Sequence, residues 1–363
     1  MSDVAVVTQD PLFGGGALAQ LNAFVEASRA LGREPEVLFV PHPGLRRELR
    51  PAPLGRIETR RLLRGSRRLV PRLAHARSLW VVATLATHGL PAPLSGRPYA
   101  CWLGTSLAVE SRGRAVGLPP SRRLALHLNA PPLTRIERRV LQHARRLYAT
   151  SASSRADVAS AAGVAPAEVG VLPLPVDPER FAPEPDERWL ARLEAPVVAF
   201  VGRPDDPRKN LALALEALPL LRRRIPAARL RVIGGPVEPR DGVEALGEVP
   251  SVAALLREAA LLLCPSRQEG FGIAVAEALA CGVPVLATPC GGPEELLRRS
   301  GGGRVLSSFD AAELAGVAAD LLETPAALVA MRHAGRTYVA REHSPARLAA
   351  LVAAAQAELE ASA

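Results

Sequence analysis

Two carboxylates, Glu269 and Glu277, bracket the start of the stretch Pro265–Thr288, which reads PSRQEGFGIAVAEALACGVPVLAT. Glu269 lies in a polar loop with Gly270 and Gly272, between an apolar strand ending at Pro265 and a helix starting near Gly272. A helix start approached by glycines suits an anion, because free N–H groups and the helix dipole both point there, and phosphate is the simplest guest. Glu277 falls on that helix among Ala274, Val275, Ala276, Ala278 and Leu279. An unpaired charge there is costly to bury, so a polar partner is expected. Standing alone, the stretch reads better as an ordinary strand–loop–helix corner whose buried Glu is paired with an Arg.

A second pointer is Lys209, the only lysine in a chain that otherwise uses arginine wherever it needs a cation. A compact ammonium in place of a planar fork suggests a site, with chance as the alternative. Nearby Arg203, Arg208, Asp205 and Asp206 crowd the same loop. The Asp pair makes a poor metal site because its basic neighbours already supply the positive charge, so no metal is expected.

These residues need a scaffold, and the chain alternates strand-like and helix-like segments throughout. DVAVVT (3–8) leads through a Gly-rich loop, QDPLFGGG, to an amphipathic helix and then to EVLFV (36–40). Gly14, Gly16 and Ala19 nominally fit a dinucleotide fingerprint, but the first glycine does not follow the strand directly and no acid closes the second strand. A flexible Gly loop near a ligand fits better. LWVVAT (79–84), His88-Gly89, YACWLG (99–104), LYATS and EVGVLPLPVD (168–177) follow, and 178–195 reads as an interdomain linker. The alternation restarts with PVVAFVG (196–202), a helix over 210–224, RLRVIGG (229–235), a helix over 251–260 and LLLCPS; from Asp310 onward the pattern is helical. Such alternation predicts parallel sheets with helices on both faces and ligands at the carboxyl ends of strands. Loops 9–16, 203–209, 234–238, 266–272 and 289–295 all fall at those ends.

With these residues in view, the chain resembles the retaining GT-B glycosyltransferases of the family 4 type. The resemblance rests on EGFGIAVAE (269–277), VGRPDDPRKN (201–210), PCGGPEEL (289–296), the N-terminal Gly loop and VLPLPVDPERFAP (171–183), in that family's order and spacing. It implies an α/β chain with two Rossmann-like, doubly wound parallel-sheet domains facing a cleft. Residues 1–180 plus a C-terminal helix (346–363) crossing back would form the acceptor domain, and 181–345 the donor domain. The donor would be a nucleotide-diphosphate sugar, with no separate cofactor. Arg203 and Lys209 would hold the diphosphate, Phe271, Gly272 and Ile273 would meet sugar and phosphate, Glu269 the sugar hydroxyls and Glu277 the ribose diol. Gly234 would join the donor side, and Gly15 and Gly16 would close over it. In many relatives a His ends the strand matching YACWLG, where this chain has Gly104-Thr105 on the acceptor side. His88 is the substitute catalytic candidate, a structural His being the equal alternative. The usual Asn-Gly of the exit strand is Leu174-Pro175 here.

Composition bounds the rest. At 363 residues with 48% hydrophobic and 22% charged residues the chain has the makings of two globular domains. Asp3 ahead of a short apolar strand argues against a signal peptide and for the cytoplasm, and four scattered cysteines without a CxxC read as reduced packing residues. The formal charge of +9 is concentrated early: 25 Arg against 13 acids in 1–180, with eleven of those Arg between Gly44 and Arg77. That basic segment is either a solvated face or a patch for an anionic or membrane-associated acceptor, giving peripheral contact at the inner face of a membrane. The scarcity of aromatics and the lack of a recognisable module argue against nucleic acid. Two other readings stand beside the retaining glycosyltransferase: a nucleotide-sugar epimerase of the same fold, and a non-catalytic nucleotide-sugar or membrane-surface binding protein.

Overall fold

The computed structural model describes residues 3–9, 15–40, 56–116 and 119–361. The chain divides into two compact units, one formed by Met1–Pro175 with Pro345–Ala363, the other by Val176–Ser344.

The first unit is a six-stranded, all-parallel sheet in the order β2-β1-β3-β4-β5-β6. Its strands are β1 (Val4–Gln9), β2 (Pro35–Val40), β3 (Ser78–Ala83), β4 (Ala100–Leu103), β5 (Arg146–Ala149) and β6 (Val169–Val171). β3 and β4 are buried along their whole length. That is why they read as continuous apolar runs: a parallel strand covered by helices on both faces has no wet side to alternate towards. Phe24 packs with tilted rings against both Trp80 and Trp102 in the core, its centroid 4.9 Å from that of Trp80. The final helix, Pro345–Glu360, packs in this unit, where Gln356 Nε2 donates to Ser28 Oγ and Arg33 pairs with Glu360.

The second unit is again a parallel six-stranded sheet, ordered β12-β11-β10-β7-β8-β9. Its strands are β7 (Val197–Val201), β8 (Arg229–Ile233), β9 (Val243–Gly247), β10 (Leu261–Cys264), β11 (Val285–Ala287) and β12 (Gly303–Val305). Counted within the unit this is the doubly wound order 3-2-1-4-5-6, whose direction of winding reverses between β7 and β10. The loops at the carboxyl ends of those two strands carry Lys209 and Glu269 respectively.

Several local readings need correction. β9 and β12 escape the sequence pattern, and the helix expected over 251–260 spans only Ala253–Arg257. Residues 178–195 are not a linker: they include a short helix, Asp186–Leu190, whose Trp189 is fully buried in the core of the second unit. Its indole N–H donates to Ala259 O at 2.9 Å and the Arg332 guanidinium lies 4.3 Å from its ring. The four cysteines are free and buried.

Candidate functional site

The site of the second unit is built from strand ends that glycines allow to approach one another. After β7, Gly202 donates its N–H to Ile233 O, and Gly234 after β8 lies so close that a Cβ there would sit 2.5 Å from Gly202 O. Beyond β10, Glu269 pairs as an isolated parallel bridge with Gly291: its N–H donates to Cys290 O at 2.8 Å, and Gly292 N–H returns to Glu269 O at 3.2 Å. A Cβ on Gly292 would meet Gly270 O and Phe271 Cα at 2.6 Å, so the EGFG and PCGGP loops touch backbone to backbone. Each loop starts a helix, Ile273–Ala280 and Gly292–Ser300, and neither has a side-chain cap: the N-cap residues are Gly272 (φ +83°) and Gly291 (φ +96°). A glycine cap leaves first-turn N–H groups without the oxygen that Ser or Asp would supply, the condition for accepting an anion.

Across this corner lies Lys209. Its Nζ donates to Glu269 Oε1 at 2.5 Å, and Ser266 Oγ donates to the same oxygen at 2.8 Å. Burial would push the ammonium pKa down, but the Glu269 charge and hydrogen bond more than offset it, and the pKa is raised. Lys209 therefore stays charged through the physiological range. Arg203 is farther out: over half exposed, it makes a two-point pair with Asp205, at 2.8 Å and 3.1 Å. Asp206 is held by Arg208 at 2.6 Å. Both carboxylates of the Asp205-Asp206 pair are thus engaged by guanidinium groups. Among the described residues no cluster of three His, Cys, Asp or Glu is arranged to hold a metal.

Glu277 is half-buried on the helix Ile273–Ala280, and its pKa is pushed up to about 7 by burial, with Arg180 pulling the other way. Arg180 acts on it only through its charge: among the described residues no hydrogen bond or close ion pair reaches the Glu277 side chain, where the sequence predicts a polar or arginine partner. The corner therefore holds one satisfied carboxylate and one that lacks a partner. The structure brings Lys209, Glu269, Phe271, Gly272 and Ile273 into one corner; Arg203 belongs to the same β7 loop, and Gly234 closes against Gly202. Sequence reasoning passed over Ser266 and Asn210. Ser266 shares the acceptor oxygen of Lys209, and Asn210 Nδ2 donates to Pro265 O at 3.1 Å. A Ser three residues before Glu269 and an Asn after the lysine were visible signals.

In the first unit, Gly15 and Gly16 open the helix Gly15–Ala30 and are exposed, with open space where a Cβ would go. The preceding loop residues 10–14 lie outside the described residues, as do 41–55 of the basic segment. His88 is half-buried on a 3₁₀ turn after β3, its Nδ1 3.4 Å from Leu85 O. Gly104 follows β4 and packs on Thr84; Thr105 is buried, its N–H on Thr84 O and its Oγ1 without a hydrogen-bond partner among the described residues. On the helix Arg56–Leu73, Arg64, Arg67 and Arg68 line a surface concavity with Leu63, while Arg72 is paired with Glu36.

Comparison with known proteins gives this geometry a context. Residues 195–324 match the model described as "Glycosyl transferases group 1". The chain is 33% identical over 196 residues to the GDP-mannose-dependent alpha-(1-6)-phosphatidylinositol monomannoside mannosyltransferase of Mycolicibacterium smegmatis, covering 46% of this chain and 50% of that protein. It is 31% identical over 237 residues to the D-inositol 3-phosphate glycosyltransferase of Mycobacterium avium, covering 58% and 54%. The chain spans about half the length of these curated relatives. The Anabaena HepE structure in complex with UDP-glucose superposes with a TM-score of 0.73 at 15% identity, over 99% of this chain and all of that one. The fold, two parallel six-stranded sheets with surrounding helices, is GT-B.

Proposed function

We propose that this chain, which carries a group 1 glycosyltransferase domain over residues 195–324, transfers a sugar with retention from a nucleotide-diphosphate sugar to an anionic acceptor. The observation that carries the reading is the Lys209–Glu269 pair set beside an uncapped helix start at the winding reversal of the second sheet.

The chemistry follows from charge. As the bond from the anomeric carbon to the diphosphate breaks, its electron pair stays on the phosphate oxygen and negative charge grows there. Lys209, charged at neutral pH, the N-terminal amides of the helix Ile273–Ala280 and Arg203, released from its exposed partner, would stabilise that charge where it develops. Opening the Arg203–Asp205 pair costs about 0–1 kcal/mol, since exposed ion pairs contribute little. Glu269, fixed through Oε1, keeps Oε2 for sugar hydroxyls, and Glu277 accepts the ribose diol that would supply its missing partner. With no Ser/His/Asp nucleophile constellation apparent in the sequence, the leaving phosphate would take the acceptor's proton on the same face.

The two curated relatives are both named for acceptors bearing an inositol phosphate. An acceptor of that anionic class suits the basic first half of the chain and the Arg64–Arg67–Arg68 concavity. The test is turnover of UDP-, GDP-, ADP- and TDP-sugars with inositol phosphate and phosphoinositide acceptors, followed by NMR of the product's anomeric centre. Acceptor-dependent release of the nucleotide diphosphate with retained configuration is expected. A chain that neither binds nor hydrolyses any of the donors overturns the reading.

A further inference from the structure

Asn210 is the only non-glycine residue with positive φ (+52°) among the described residues. Asn tolerates this left-handed conformation better than most side chains. It occupies the N-cap of the helix Leu211–Arg224, a place where Asn ordinarily caps the first free amides with its own side chain, yet here it makes no capping bond. The side chain, 9% exposed, crosses to the other loop instead: Nδ2 donates to Pro265 O at 3.1 Å, and Oδ1 accepts from Arg267 Nη2 at 3.3 Å. A backbone bond, Arg267 N–H to Arg208 O at 2.7 Å, ties the same two loops one residue away. So a favoured capping residue leaves its own helix uncapped while linking the chain after Lys209 to the chain before Glu269. Pro265 is followed directly by Ser266, whose hydroxyl shares Glu269 Oε1 with Lys209.

We propose that Asn210 is a positioning residue: its carboxamide clamps the β7 loop to the β10 loop across the winding reversal and so sets Lys209 against Glu269. The inference rests on the glycosyl-transfer reading for its kinetic consequence, but not for its structural one. The left-handed backbone turns the chain so that the lysine faces Glu269, and the carboxamide holds the two loops at that spacing. Glycine has the backbone freedom without the donor, and Asp tolerates the backbone but cannot donate to a carbonyl.

Because Lys209 is the only lysine of these 363 residues, this chain grown with [ε-¹³C]lysine gives one reporter resonance. In the parent protein it should titrate above the ordinary lysine value, as the Glu269 contact requires. Asn210→Gly, which keeps the backbone and deletes the clamp, should move that midpoint back towards an unperturbed lysine while circular dichroism stays native. Asn210→Ala, which also deletes the carboxamide and adds no charge beside Lys209, should do the same, which keeps the test available if either variant folds poorly. With a donor and acceptor that turn over, kcat should fall about tenfold with little change in donor KM, as for a misplaced charge that acts mainly in the transition state. In a Lys209→Ala background Asn210→Gly should add no further loss, because the two act through one contact. A merely structural Asn210 would give additive losses. An unchanged lysine midpoint in both variants overturns the clamp whether or not any nucleotide sugar is a substrate; absence of turnover with a shifted midpoint overturns only the glycosyl-transfer reading.

Discussion

Lys209 and Ser266 donate to the same carboxylate oxygen, Glu269 Oε1, at 2.5 and 2.8 Å. The carboxylate is thereby oriented through one oxygen, and among the described residues no side chain is hydrogen-bonded to the other. A charge held this way needs no reorganisation when negative charge develops nearby, which is the condition for electrostatic catalysis.

Replacing the ammonium should therefore affect chemistry more than donor affinity. Lys209→Ala is expected to lower kcat by about tenfold or more, and Lys209→Arg to recover little, since a planar fork cannot reproduce a compact donor in a largely buried position. Steady-state kinetics with a nucleotide sugar checks both, and near-parental turnover in Lys209→Ala removes the role assigned to it. The sign of the pH effect is also fixed. A lysine pKa raised on folding adds stability that is present below the unfolded value of 10.5 and lost as pH rises through the folded value. Thermal melts of parent and Lys209→Met should converge at high alkaline pH.

Arg203 should separate function from fold. Its exposed pair with Asp205 is worth about 0–1 kcal/mol, so Arg203→Ala is expected to melt within a few degrees of the parent while kcat/KM drops. A large loss of stability with unchanged turnover would mean that the guanidinium belongs to the loop and not to the chemistry.

Much of this architecture was legible because it rests on local runs. β4 is apolar at every position and β3 from Leu79 on, and in the PCGGP loop Gly292 marks a close backbone approach that a Cβ would block. What escaped depends on partners distant in sequence. Trp189 sits in a proline-rich stretch that reads as a linker, but its partners are Ala259 and Arg332, and neither contact leaves a local signature. β9 has no fully buried residue, and β12 is three residues of which one is glycine, so neither has an apolar period to detect. Glu277 shows the opposite failure: its burial among apolar neighbours was readable, but the inference that a protein group must neutralise it was not, because a functional site can leave that task to a ligand.

The glycines give a matched pair of tests. Gly292→Ala would drive a methyl to within 2.6 Å of the Gly270 carbonyl and the Phe271 Cα, which are backbone and cannot rotate away. It should destabilise the protein by about 1–3 kcal/mol, the range for overpacking, and abolish donor binding together with it. Gly16→Ala meets nothing within 4 Å and is expected to leave the melting temperature unchanged. Any fall in turnover in Gly16→Ala then reports contact with substrate. Equal behaviour of the two variants in chemical denaturation would refute the close-packed account of the second loop.

Glu277 makes the sharpest pH prediction. Its folded pKa of about 7 lies above the ordinary 4.5, so the folded state binds the extra proton between those values, and stability falls as pH rises from about 4.5 through 7. The loss is at most about 3 kcal/mol at pH 8. Glu277→Gln should abolish this dependence, matching the parent at pH 4 and exceeding it at pH 8 in urea midpoints. Function sets the opposite demand: a carboxylate that accepts hydrogen bonds from a ribose diol must be ionised, so nucleotide affinity in the parent should weaken as pH falls below about 7, and Glu277→Gln should bind weakly at every pH. Calorimetric titration of the parent with nucleoside diphosphates between pH 5.5 and 8.5 reads this directly. A flat affinity profile, with the stability profile shifted as stated, would place the ribose elsewhere and leave Glu277 as a buried acid without a ligand.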